Sequence, residues 1–235
     1  YSSEGPYVAW CWKAGDPDDN LPQINTEGTI DSTVSVNAEA GFSIVEYTAG
    51  GTATVGHGLS SAPEMIITKN LDISEQWFVY HSAVGTGKFL GLNTTSAATT
   101  NSGTYTNVGS TTFTNNISGT SRTYINYCFH SVTGYQKIGS YQGTGSSGNT
   151  VTTGFQPRWV MIKRINASTD QASCHWLIFD SNRLSSGEPT MLRASSSDSE
   201  FTGNRIEFVS TGFRLDDSDN TRNQSGGEYI YLAIK

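Results

Sequence analysis

Residues 42–69 read FSIVEYTAGGTATVGHGLSSAPEMIITK, and residues 136–163 read QKIGSYQGTGSSGNTVTTGFQPRWVMIK. Superposed, they put Ile44 with Ile138, Tyr47 with Tyr141, Pro63 with Pro157 and Ile67 with Met161, all at a constant offset of 94 residues. The match continues outward. WFVYHS from Trp77 aligns with WLIFDS from Trp176, Leu92 with Leu192 and Phe113 with Phe213, at offsets that grow to 99 and then 100. An offset that grows in small steps means loop insertions between shared strands. Each copy closes on a related run, TYINYCF at residues 123–129 and EYIYLAI at residues 228–234. Internal repetition at this length is a property of the architecture and has to be settled before anything else is read.

The secondary structure follows from periodicity. Apolar runs are short, rich in Val, Ile, Tyr, Phe and Trp, and bounded by Gly, Asn, Ser or Pro, which is the strand-and-turn pattern. No stretch carries a 3.6-residue apolar period with caps. In RWVMIKR (residues 158–164), Trp159 and Met161 point one way and Val160 and Ile162 the other, so both faces are apolar. Such a strand belongs inside a sandwich. The expected fold is therefore all-β: two tandem antiparallel β-sandwich units, jelly-roll or lectin-like, related by the repeat.

Domain limits follow. PYVAWCW at residues 6–12 matches both closing runs, so residues 1–13 read as the closing strand of a preceding unit. Residues 14–41, which carry Pro17 and Pro22 and few large apolar side chains, read as a linker with one short strand around Thr33 to Asn37. Residues 42–134 and 135–235 are the two repeats.

Composition bounds the chemistry. Only 15% of the 235 residues are charged, and the formal net charge is −7, with scattered Lys and Arg. Nucleic acid, which needs clustered cations, is not an expected partner, nor is an anionic membrane surface. No apolar run reaches the roughly 20 residues that span a bilayer, so no membrane insertion is expected. Cys11, Cys128 and Cys174 show no metal-type spacing, and Cys11 and Cys128 occupy the same position of equivalent runs, where the second copy has Ala233. A site that accepts Cys or Ala is a small packing position. His57, His81, His130 and His175 have neither zinc-site spacing nor a neighbouring nucleophile motif. No catalytic residue, metal ligand or cofactor site is assigned. Residues 216–223 (DDSDNTRN) place oxygens at alternate positions but lack the central Gly and terminal Glu of a calcium loop, and read as a polar hairpin. The sequons at Asn93, Asn116, Asn166 and Asn223 read as loop chemistry.

Five Trp, eleven Tyr and ten Phe remain. Exposed rings can stack on the apolar face of a sugar. Most of these alternate correctly for a core, and Trp77 and Trp176 hold equivalent positions. Trp159, aligned with the smaller Met65, breaks the symmetry; a core position is the favoured reading, and a ligand contact specific to the second unit is the candidate functional one.

Taken together, AGFSIVEYTAGG, GHGLSSAPEMIITK, WFVYHS, LGLNTTSA, TYINYCFHSVTGYQKIGSYQGTG, TTGFQPRWVMIKR and GGEYIYLAIK resemble an uncharacterised repeat domain in virion structural proteins of tailed bacteriophages of the marine and cyanobacterial type. The resemblance implies a non-enzymatic tail-fibre or receptor-binding component of the virion. It implies a homo-oligomer, expected as a trimer, that contacts other virion proteins and a host cell-surface glycan. The competing readings are a capsid decoration or spacer protein and a polysaccharide depolymerase. No functional residue carries over: Asp180-Ser181-Asn182-Arg183 fits a recurring Asp-Ser-x-Arg pattern, but the first copy has His81-Ser82-Ala83-Val84.

Overall fold

A computed structural model describes residues 7–15, 22–117, 119–166, 174–203 and 205–235. Every regular element among these residues is a β-strand, and every ladder between strands is antiparallel. The first unit holds β1 (Gln23–Asn25), β2 (Ser32–Asn37), β3 (Phe42–Ala49), β4 (Ala53–Gly56), β5 (Met65–Asn70), β6 (Phe78–His81), β7 (Lys88–Gly91), β8 (Thr99–Thr100), β9 (Asn107–Val108), β10 (Thr112–Asn115) and β11 (Arg122–Phe129). The second holds β12 (Gln136–Gln142), β13 (Asn149–Thr152), β14 (Trp159–Arg164), β15 (Trp176–Ser185), β16 (Glu188–Arg193), β17 (Ile206–Val209), β18 (Gly212–Leu215) and β19 (Glu228–Ile234).

Each unit pairs a large sheet with a small one. The first has an eight-stranded sheet in the order β1-β2-β3-β11-β5-β6-β7-β8 over a three-stranded sheet β4-β10-β9. The second has a five-stranded sheet β12-β19-β14-β15-β16 over β13-β18-β17. Strands aligned by sequence take the same places: β3-β11-β5-β6-β7 corresponds to β12-β19-β14-β15-β16. Their cores also share a three-ring arrangement. Tyr47 stacks on Tyr124 at 5.4 Å and meets Phe113 edge-on at 6.3 Å. Tyr141 stacks on Tyr229 at 5.0 Å and meets Phe213 edge-on at 5.9 Å.

The two-faced apolar strands have a further cause. In β14, Val160 and Ile162 enter the core between the second unit's own sheets, while Trp159 and Met161 enter a separate core. That core also takes Phe42, Met65, Val79, Leu90 and Phe129 from the first unit and Trp176, Ile178, Ile230 and Leu232 from the second. The large sheets therefore pack face to face, and the chain stacks four layers around three apolar cores.

Two expectations need correction. The short strand expected around Thr33 to Asn37 is present as β2, but residues 14–41 are more than a linker: β2 pairs with β3 from Thr33↔Glu46 to Asn37↔Phe42, and Val34 is buried in the first core. Its alternation of Val with Ser and Thr gives a weak apolar signal because only one face of this outlying strand is covered. Residues 7–15, read as part of a closing strand, join no ladder. Trp10 and Trp12 instead pack edge-on against Trp159, with ring centroids 6.2 and 5.5 Å away.

Candidate functional site

Trp159 is only 7% exposed and lies in the core between the large sheets. Together with Trp10, Trp12 and Trp77 it borders an apolar cavity of about 370 Å³. The structure gives Trp159 a packing position that its sequence neighbours could not reveal, since the rings covering it lie about 150 residues earlier.

A polar site lies elsewhere, on the second unit. A polar groove of about 640 Å³ runs between the β15–β16 hairpin and the β17–β18 hairpin. The first hairpin turns through Ser186 (φ 54°) and Gly187 (φ 85°), two left-handed residues between the paired Ser185 and Glu188. Two consecutive positive φ values match the right-handed twist of the flanking strands. The second hairpin sets Glu207 opposite Arg214 in register.

Arg214 organises the floor. Its Nη2 donates to Glu207 Oε2 at 2.5 Å, and its Nε donates to both oxygens of Asp216, at 3.0 and 2.9 Å. Ser147 Oγ and the Gly148 N–H donate to Asp216 Oδ1 at 3.0 and 3.1 Å. Desolvation pushes the Asp216 carboxyl up, but the hydrogen bonds from Arg214 and Ser147 and the Arg214 charge outweigh it, so Asp216 is held below the usual carboxylate range. Gln156 Nε2 donates to the Phe208 carbonyl at 2.7 Å and closes one end. Phe208 and Leu184 supply apolar surface, and Glu188 and Arg205 line the walls.

Other segments singled out by sequence have structural roles. Asp180 Oδ1 accepts the N–H groups of Asn182 and Arg183 at 3.0 Å, and Oδ2 accepts Arg183 Nε at 2.6 Å and Trp10 Nε1 at 3.2 Å. At the aligned position, His81 Nδ1 accepts the Ala83 N–H at 3.1 Å. The shared role is a turn clasp, and only the second unit extends it to Arg183 and Trp10. In residues 216–223, Asp217 pairs with Arg222, and Asp219 Oδ1 accepts the Thr221 N–H at 2.8 Å and hydroxyl at 2.5 Å. Those oxygens serve the loop itself. Asn223 is fully buried, donating to the Ser146 carbonyl at 2.9 Å and accepting from Asn149 Nδ2 at 2.7 Å, so this sequon is a hairpin anchor. Cys128 is buried in the first core and Cys174 is buried beside Lys163, while Cys11 is exposed.

Sequence reading missed the groove because its walls come from five separated segments. The one local signal was the opposition of Glu207 and Arg214 across the short hairpin IEFVSTGFRL.

Fold and groove define an all-β, antiparallel sandwich protein with an open polar cleft on its second unit. The chain belongs to the DUF7483 family, a domain of unknown function, which matches residues 1–235. No curated protein and no solved structure matches it.

Proposed function

We propose that this chain is a non-enzymatic module of a bacteriophage virion, part of a tail or surface fibre, that contacts a host envelope glycan through the groove of its second unit. The groove carries the reading. It is large enough for a few sugar rings, holds donors and acceptors fixed in advance by Arg214, and adds Phe208 as an apolar face for a ring. Saccharide sites need such pre-set polar groups beside a modest apolar patch. The flat, neutral aromatic platform expected from composition is not the basis, since most rings are buried.

Three carboxylates border the groove, which raises the depolymerase alternative. Glycoside hydrolysis needs one protonated acid and one free base or nucleophile. Arg214 engages both Glu207 and Asp216 and keeps Asp216 ionised. This favours binding over cleavage. A homo-oligomer in the fibre would multiply weak contacts into firm attachment.

The test is titration of purified protein with envelope polysaccharide from a susceptible host, followed calorimetrically and by product size. Saturable binding with intact polysaccharide, reduced at least tenfold by Arg214→Ala, is the expected result. Shortened chains would establish the depolymerase instead. Absence of binding alongside density on the capsid lattice in electron micrographs of the particle would establish a decoration or spacer role.

A further inference from the structure

The apolar cavity beside Trp159 follows from an offset between the two large sheets. Three rows cross the face that the first unit's large sheet turns to the second, each with one residue from β3, β11 and β5 in register. The rows are Phe42, Phe129 and Met65, then Ile44, Tyr127 and Ile67, then Glu46, Ile125 and Lys69. The first row is buried in the core between the sheets, the second is half-buried, and in the third Glu46 is exposed. The second unit therefore covers only one end of this face.

The second row is the floor of the 370 Å³ cavity, and Met161, Ile178 and Leu232 of the second unit close its inner end. Trp12 and Trp77 flank the floor. Trp12 precedes Lys13, whose carbonyl accepts Asn37 Nδ2 of β2 at 3.1 Å, and Trp77 leads into β6 on the other side of β5. Among the described residues, no charged or amide side chain lines the cavity. Walls that offer water so few partners suit a hydrocarbon ligand.

The rim adds one cation. Lys69 follows Ile67 on the same face and holds its ammonium 5.9 Å from the centre of the Trp77 ring. That ammonium donates to the Glu75 carbonyl at 2.5 Å and pairs with no carboxylate among the described residues. With three donors in all, it has protons left for a ligand. Glu46, the carboxylate on the same row, lies two strands off, about 10 Å by strand spacing.

An apolar interior with a cation at its rim complements an ionised carboxyl group on a hydrocarbon chain. Volume sets the length: at about 30 Å³ per water-sized group, 370 Å³ takes about twelve carbons. We propose that this chain binds one medium-chain fatty acid, with its tail in the cavity between the units and its carboxylate at Lys69. The site shares no residue with the polar groove, and the proposal does not depend on the glycan reading.

Calorimetric titration with fatty acids below their micelle concentrations tests it. One site per chain is expected, with affinity rising about fourfold per methylene from octanoate to dodecanoate and levelling beyond. Ile44→Trp raises a ring from the floor into the cavity and should weaken dodecanoate binding at least tenfold. Lys69→Met keeps the aliphatic stem without the charge. It should weaken dodecanoate at least fivefold and leave dodecanol within twofold of wild type. Non-saturable binding, affinity still climbing from dodecanoate to hexadecanoate, an Ile44→Trp variant that binds as tightly as wild type, or equal losses of dodecanoate and dodecanol in Lys69→Met would each overturn the proposal.

Discussion

Lys163 on β14 is fully buried, and no carboxylate pairs with it among the described residues. Its ammonium donates to the carbonyls of Cys174 and, at 3.3 Å, Thr94, and it lies 5.6 Å from the centre of the Trp176 ring. Carbonyl dipoles and a ring face compensate a buried charge only partly. Burial therefore lowers its pKa from 10.5 to about 8. Between these values the unfolded chain binds the proton that the folded chain has released, so stability rises with pH across that window. Integration from pH 7 to pH 9 gives a gain on the order of 1 kcal/mol from this group. Cys128 opposes it more weakly: burial raises the thiol from 9.0 to about 12, so its ionisation in the unfolded chain begins to remove stability as pH reaches 9. Wild-type protein should therefore be more stable at pH 9 than at pH 7, by roughly 1 kcal/mol, while Lys163→Met, which keeps the volume without the charge, should lose that gain over the same interval. Urea unfolding at both pH values measures this directly. If wild type and variant show the same pH dependence, the buried-ammonium argument is wrong.

Other perturbations probe other layers. Burial pushes His81 down to about 4, so acidification from about 6.5 to 4 should cost on the order of 3 kcal/mol as the unfolded chain takes the proton first. His81→Asn keeps the acceptor for the Ala83 N–H and should flatten that slope in denaturant titrations. Trp159→Ala should cost about 3–5 kcal/mol by calorimetry, yet leave polysaccharide binding at the groove within twofold of wild type; a larger loss of binding would return Trp159 to the ligand site. Ser186 holds a left-handed conformation better suited to Asn. Ser186→Asn should therefore raise the melting temperature, by about 0.5 kcal/mol of stability, and a lower melting temperature would contradict the turn assignment.

Sequence alone determined the local structure of the units. Alternation within FSIVEYTA and RWVMIKR, with Gly- and Ser-rich breaks between runs, dictates short antiparallel strands, and the recurring spacing sets which strands correspond. These signals are readable because a strand's pattern depends on its own two faces. Tertiary structure decided what covers those faces. The second apolar face of β14 is the same string of letters whether it meets its own small sheet or another unit, so the third core could not be read from it. Trp159 looked like a departure from symmetry until Trp10 and Trp12 were brought onto it from the start of the chain. β2 was legible as a short strand, but its place in the first unit was not, because Val34 and Val36 need only one covered face. The groove lay furthest from view, because packing assembles it from five separated segments.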